Sequence, residues 1–400
     1  MKVAVITSSG GRAAPQVMAA YAQALLGLGH EVEVINMDLL WAGLPEPSAQ
    51  KIYQFVTKTL KAVAPELALF YAIPQGKGLF NEQGIFVCET LEIPFVSLFC
   101  DDPFVYLQQL APEGRQQLLR SDFYRIFCSD KYYTQELRRF GFEHAEYLAL
   151  ATDPSTFCAH QNKPVPKRFE CDVCFVGSID SSPELLTLRR QQRWEHFPIL
   201  NTAIDEIMVH ANKPSPDMVI KELQRVREHL PWDISAVFCR TVYEEASTYI
   251  RRAAMNAINK HPVKVFGPDK WNGMKPNITH GGNIDYVKGL PLLYASSKIV
   301  LNITSPQMRD AATSRLFDVP ASGGFVLSDY RPVMHELFGD AIDTYADMRE
   351  LRAKIDYYLA HLKERKERSL RMREIVLAKH TWAHRTKDLL QCIAIRHVFS

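Results

Sequence analysis

The sequence predicts an α/β protein built of two doubly wound, Rossmann-like domains that face a central cleft. Three observations predict it. Short apolar runs alternate with segments of helical spacing over residues 1–150, and the alternation restarts at Asp172. The stretch Pro154–Arg168 between the two sets is polar and carries three prolines, so it reads as a linker. At 400 residues the chain exceeds what one ordinary core encloses. The predicted divisions are a first domain over 1–155, a linker over 156–170, a second domain over 171–378 and a terminal helix over 379–400.

Each element has its own signal. Val3–Thr7 is an apolar run and reads as a strand, followed by Ser8-Ser9-Gly10-Gly11-Arg12. Pro15–Leu28 has helical apolar spacing and ends at Gly29, a helix stop. Glu31–Asn36 alternates and is β-branched, a second strand. A helix from Ser48 to Val63 precedes Pro65 and a third strand, Leu67–Ile73. Glu82–Leu91 reads as helical and Pro94–Cys100 as a fourth strand. Arg125–Cys128 is a fifth strand, with a following helix that stops at Gly141, and Ala145–Leu150 a sixth. In the second domain, strands are expected at Asp172–Gly177, Pro262–Gly267, Ile299–Ile303 and Gly324–Ser328. A mostly helical insert fills 183–259, opened by a capping box of Ser181 and Glu184 around Pro183. Leu351–Ala378 reads as one charged helix and Thr381–Phe399 as an amphipathic one. Such alternation gives parallel sheets covered on both faces, with ligands at the carboxyl ends of the strands.

Composition narrows the class. With 47% hydrophobic and 23% charged residues the chain has the make-up of a soluble globular protein. Its 47 basic and 45 acidic residues leave a formal net charge of +2, which argues against a nucleic-acid coat. The N-terminal apolar run is too short for a signal peptide, and no run reaches the roughly 18–20 residues of a membrane span. The eight cysteines are scattered and read as reduced residues of a cytoplasmic protein. Cys171-Asp-Val-Cys174 has redox-motif spacing, but it opens a strand rather than a helix and has no second pair, so it reads as structural.

The chemistry concentrates between Ile299 and Asp329, where a buried strand, a polar loop, a short helix, the pair Gly323-Gly324 and a second strand follow one another. A loop that opens a helix offers free N–H groups to an anion. Here it also carries Arg309, Thr313, Ser314 and Arg315, with Asp318 one turn on and Asn302 at the end of the preceding strand. Arginine and hydroxyl donors suit a diphosphate leaving group and can stabilise it without a metal, while Asp318 suits ribose or sugar hydroxyls. The alternative is a structural Arg–Asp pair at i, i+3. Gly177 and Ser178, and then Gly267, follow strands where a phosphate can approach the backbone. Arg189 and Arg193 share a helix face, either toward the same phosphates or toward solvent. Trp271 and Tyr286 are candidate walls of a base pocket, or core aromatics. In the first domain Asp101 and Asp102 end a strand, as a general base or as a helix cap. Gly10, Gly11 and Arg12 border the acceptor side of the cleft but lack the Gly-x-Gly-x-x-Gly pattern. His380 and His384 lack a carboxylate partner and read as structural, and no metal-ligand spacing is present.

These residues resemble the spore-maturation, CgeB-like glycosyltransferases, which are similar to group 1 transferases of the GT-B fold. The resemblance rests on Pro94–Pro103, Tyr147–Pro154, Asp172–Ser178, Val265–Gly267 with Trp271, Leu290–Asn302, the tail Tyr357–Arg385 and, most specifically, Arg315-Leu-Phe-Asp318 with Gly323-Gly324. It implies a nucleotide-sugar donor in the second domain and a glycan, protein or small-molecule hydroxyl acceptor in the first. It also implies metal-independent transfer with no cofactor, and a C-terminal helix that crosses back to the first domain. The family usually has glutamate where this chain has Asp318. Two alternatives stand beside transfer: a nucleotide-sugar epimerase on the same fold, and a non-catalytic sugar-nucleotide-binding protein of the spore or cell surface.

Overall fold

The computed structural model describes residues 1–7, 14–38, 48–72, 79–107, 110, 112–159, 165–178, 232–268 and 274–397. It divides into two compact units, Met1–Ala149 with Trp382–Ser400, and Leu150–Thr381. The division thus falls ahead of the proline stretch expected to be the linker.

The first unit holds a parallel sheet of β1 (Lys2–Thr7), β2 (Glu31–Asn36), β3 (Leu67–Tyr71), β4 (Phe95–Phe99), β5 (Tyr124–Cys128) and β6 (Ala145–Tyr147). Their spatial order is β2-β1-β3-β4-β5-β6. Val3 pairs with Val32 on one side and Leu67 on the other, so β1 is central and its run Val3–Ile6 is buried on both faces. Helices cover the sheet, and their ends follow local chemistry. The Ser48 hydroxyl accepts from Lys51 N–H and opens α2 (Ala49–Val63), after α1 (Ala14–Gly27). Gly84 closes a turn in which the Asn81 side chain accepts from the N–H groups of Gln83 and Ile85. That turn takes the start of the helix expected over Glu82–Leu91, which is reduced to α3 (Val87–Leu91). Two short helices, α4 (Pro103–Leu107) and α5 (Pro112–Arg120), follow β4. Asp130 caps α6 (Lys131–Phe140), and Gly141, at φ 114°, ends it.

The second unit holds β7 (Val173–Val176), β8 (Val263–Phe266), β9 (Ile278–His280), β10 (Ile299–Asn302), β11 (Val326–Asp329) and β12 (Asp343–Tyr345), all parallel, in the order β12-β11-β10-β7-β8-β9. Strand order reverses between β7 and β10, which lie side by side, and open α/β sheets bind ligands at such a point. Val173, Phe175, Val265, Ile299, Leu301 and Leu327 form the core with Ala254 and Met255 of α7 (Trp232–Ala257). The short helices α8 (Leu290–Ser296), α9 (Arg315–Ala321) and α10 (Pro332–Phe338) precede α11 (Met348–Ala360) and α12 (Leu362–Lys379).

α11 and α12 replace the single helix expected over Leu351–Ala378. They part at His361 (φ −106°, ψ 68°), and Arg365, buried, donates to the freed carbonyl of Tyr358. The last helix, α13 (Trp382–His397), belongs to the first unit, where Trp382 packs on Tyr21 of α1 with ring centroids 5.1 Å apart. Arg385 Nε donates to Ala149 O at 2.8 Å within the same unit. No helix among the described residues is long and apolar enough to cross a membrane.

Candidate functional site

The end of β10 organises the second unit. Asn302 is fully buried there, and all its side-chain bonding is internal. Its Oδ1 accepts from Arg315 Nη1 at 2.7 Å and from Thr313 Oγ1 at 2.8 Å. Its Nδ2 donates to Ser328 Oγ at 2.9 Å and Thr304 Oγ1 at 3.1 Å. Asn302, expected to touch the donor, is instead the fixture that aims Arg315. The guanidinium also donates from Nη2 to Val176 O, at the end of β7, at 2.7 Å, and lies over the Phe175 ring, 5.5 Å from its centroid. Arg315 thus bridges the ends of β7 and β10 at the switch point. A guanidinium carries five N–H donors. Its Nε is buried with no hydrogen-bond partner, so the bonding capacity of Arg315 is not exhausted by the protein.

The helix N-terminus contributes less than expected. α9 has seven residues, and the N–H groups of Leu316 and Phe317 bond back to Thr313 O and Ser314 O. Charge at this site therefore rests on side chains. Ser314 is exposed at the start of α9, and Arg309 is half-buried in the loop before it.

A second arginine joins the first. Arg251 of α7 donates from Nη1 to Ser178 O at 2.8 Å and lies 5.8 Å from the centroid of Phe175. Two guanidinium groups thus flank one ring at the end of β7. The sequence reading missed Arg251 because it stands 73 positions from Ser178, and the only signal was an Arg251-Arg252 pair near the end of a helix before a strand.

The glycines have a reason other than the one expected. A Cβ on Gly267 would lie 2.4 Å from Gly177 O, and one on Gly177 would lie 2.7 Å from the Phe175 ring. They let the ends of β7 and β8 close on each other, and the close approach is between protein atoms.

Asp318 lies one turn beyond Arg315 and is 3% exposed. Its Oδ1 accepts from Thr152 Oγ1 at 2.8 Å. Burial pushes its carboxyl up to about 8, against the opposing pull of Thr152, Arg315 and the Tyr286 hydroxyl, while Asp153 adds to the rise. Tyr286 is partly exposed, packs edge-on against Phe157 and turns its hydroxyl to Asp318. Burial, then the Asp318 charge, pushes that phenol upward. Asp318, expected to hold ribose or sugar hydroxyls, is engaged here by the Thr152 and Tyr286 hydroxyls.

A raised carboxyl makes the native state bind a proton that the unfolded chain has already released. This contribution to stability is therefore complete below the ordinary carboxylate range and is lost as pH climbs toward 8. Asp318→Asn, which has no such proton to lose, is expected to flatten the fall in melting temperature between about pH 5 and 9. Parallel melting curves for the two proteins over that range would contradict the assignment.

In the first unit, Asp101 and Asp102 follow β4. Asp102 is 1% exposed and accepts from Phe104 N–H at 2.9 Å at the start of α4. It serves as a cap, which answers one of its two expected roles. Asp101 is half-buried and accepts from the Tyr71 hydroxyl at 3.2 Å. Gly10, Gly11, Arg12, Arg189, Arg193, Trp271 and the Ser181–Glu184 capping box lie outside the described residues. His380 is buried between Phe317 and Phe338 and its Nε2 meets Leu337 O, a structural setting. Cys174 is buried in β7, while Cys171 is half-buried, with Sγ 3.3 Å from Ser297 Oγ. Hydrogen bonding from the Cys174 thiol holds Cys171 down at about 7.

Comparison with known proteins bears on the fold. Residues 247–391 match the profile of a family described as glycosyl transferase-like. No curated protein sequence matches the chain. Among solved structures, sucrose-phosphate synthase from Thermosynechococcus elongatus superposes with a TM-score of 0.56 at 13% identity, covering 100% of both chains. Alr3699/HepE from Anabaena, in complex with UDP and glucose, gives 0.54 at 13% identity over 98% of this chain and 99% of its own. AviGT4, a glycosyltransferase involved in avilamycin A biosynthesis, gives 0.52 at 12% identity, over 98% and 96%. The fold is thus that of the GT-B glycosyltransferases, with two Rossmann-like domains.

Proposed function

We propose that this protein is a glycosyltransferase that takes a sugar from a nucleoside diphosphate sugar held in the second unit and passes it to a hydroxyl acceptor, without a metal ion. One observation carries the reading: Arg315 is pinned between Asn302 and Val176 at the point where strand order reverses, with its Nε still unpartnered. As the glycosidic bond breaks, negative charge grows on the diphosphate. A guanidinium already fixed in place stabilises that charge with little reorganisation. Arg251 adds a second positive charge beside Ser178. Both arginines lie within the stretch, residues 247–391, that matches the glycosyl transferase-like profile. HepE was solved with UDP and glucose, which makes UDP the first nucleotide to try. The segment Arg315–Asp318 favours the CgeB-like branch of the group. On the acceptor side, Asp101 is the better candidate for a general base, since the Asp102 carboxylate caps a helix.

The reading is tested by thermal shift against UDP, GDP, ADP, CDP and dTDP, each with and without magnesium. One diphosphate is expected to raise the melting temperature equally in both conditions. A tenfold excess over Kd stabilises by about 1.4 kcal/mol, enough to resolve. No shift with any of the five at millimolar concentration would overturn the reading.

A further inference from the structure

We propose that Thr152 is a positioning residue for the Arg315 site, tying the helix that carries Arg315 and Asp318 to the stretches where the chain enters and leaves the second unit; this rests on the nucleotide-sugar reading above. The chain enters that unit at Leu150 and leaves it after Thr381. Inside the unit these two stretches are joined: Thr152 N–H donates to His380 O at 3.1 Å, and Thr152 pairs in parallel with Thr381. The Thr152 side chain reaches in a third direction, to Asp318 Oδ1, across 166 positions of sequence. Thr152 is fully buried and Asp318 nearly so, so the bond between them has no water to replace it.

The same stretch is held on its other side. Asp153 accepts from Ser155 and Thr156, and Phe157, fully buried, stacks on Tyr294 and meets Tyr286 edge-on. Tyr286 in turn faces Asp318. Two routes thus converge on one carboxylate a single turn from the guanidinium assigned to the diphosphate. An interaction that draws on Arg315 changes the load on α9. Through Asp318 and Thr152 that load reaches residues 150–157 and 380–381.

Hydrogen–deuterium exchange on the full chain tests this, with UDP or whichever of the five diphosphates stabilises the protein. In the wild type, nucleotide is expected to slow exchange over residues 302–318 and also over 150–157 and 380–381, the latter by about tenfold, the protection one buried hydrogen bond carries. In Thr152→Val the slowing over 150–157 and 380–381 is expected to disappear and that over 302–318 to weaken at the same nucleotide concentration, and Thr152→Ser is expected to restore both. A purely structural role would speed exchange with and without nucleotide alike and leave the nucleotide-dependent difference unchanged, which would overturn the proposal. Nucleotide protection confined to 302–318 in the wild type would also overturn it, and needs no variant to fold. Absence of protection over 302–318 in the wild type would instead overturn the donor-site reading, and this inference with it.

Discussion

Arg315→Ala is expected to lower kcat with a nucleotide-sugar donor by about 100- to 1,000-fold, the loss seen when one fixed donor to a developing charge is removed. Three features make the effect large. The guanidinium is held by two carbonyl oxygens, Asn302 Oδ1 and Val176 O, at the ends of two different strands, so it is fixed in place before a donor binds. Its removal leaves Asn302 Oδ1 with only Thr313 as donor, in a fully buried setting. It also removes a positive charge that opposes the rise of the Asp318 carboxyl. Arg315→Lys is expected to recover only a small part of the loss, because an ammonium cannot span both carbonyls as the planar fork does. Steady-state kinetics on the two variants, with circular dichroism to show that both fold, checks this. Undiminished turnover in Arg315→Ala would remove Arg315 from the chemistry.

The second large effect lies in the backbone. Gly267→Ala is expected to destabilise the second unit, since its Cβ would press to 2.4 Å from the Gly177 carbonyl oxygen. That obstacle is backbone at the end of β7, so it yields only if the strand end moves. Overpacking of this kind costs about 1–3 kcal/mol. For a domain of this size that corresponds to a melting temperature lower by roughly 2–12 °C. The displaced strand end is also the one whose Val176 carbonyl holds Arg315, so nucleotide affinity should fall with stability. An unchanged melting temperature would show that β7 and β8 do not close on each other in this way.

The fold was largely legible because its central strands are buried on both faces and read as unbroken apolar runs. Val3–Thr7 and Ile299–Ile303 correspond to β1 and β10 to within one residue, while the edge strand β2 was legible instead from the alternation of Glu31–Asn36. What escaped was short or marginal. Strands β9 and β12 stand at the edges of their sheet with three residues each, too few for an alternation to show. The break at His361 has no glycine or proline to announce it, since a buried arginine stabilises it from four residues away.

The candidate site was legible as a location more than as a set of roles. Polar residues at strand ends mark where ligands bind in such sheets, and Asn302, Arg315 and Asp318 do gather beyond β7 and β10. A sequence does not show whether a side chain's hydrogen bonds are already taken. Asn302 is saturated by Arg315, Thr313, Thr304 and Ser328, and Asp318 already accepts from Thr152. Thr152 and Arg251 were invisible because their partners are remote in the chain, 166 and 73 positions away.

The central claim is that a nucleoside diphosphate binds beyond the carboxyl ends of β7 and β10 against Arg315. A crystal structure of the protein with the diphosphate that stabilises it tests this most directly. The expected result is density for the diphosphate within hydrogen-bond distance of the Arg315 guanidinium. Density for the nucleotide elsewhere in the second unit, or in the first, would contradict the account.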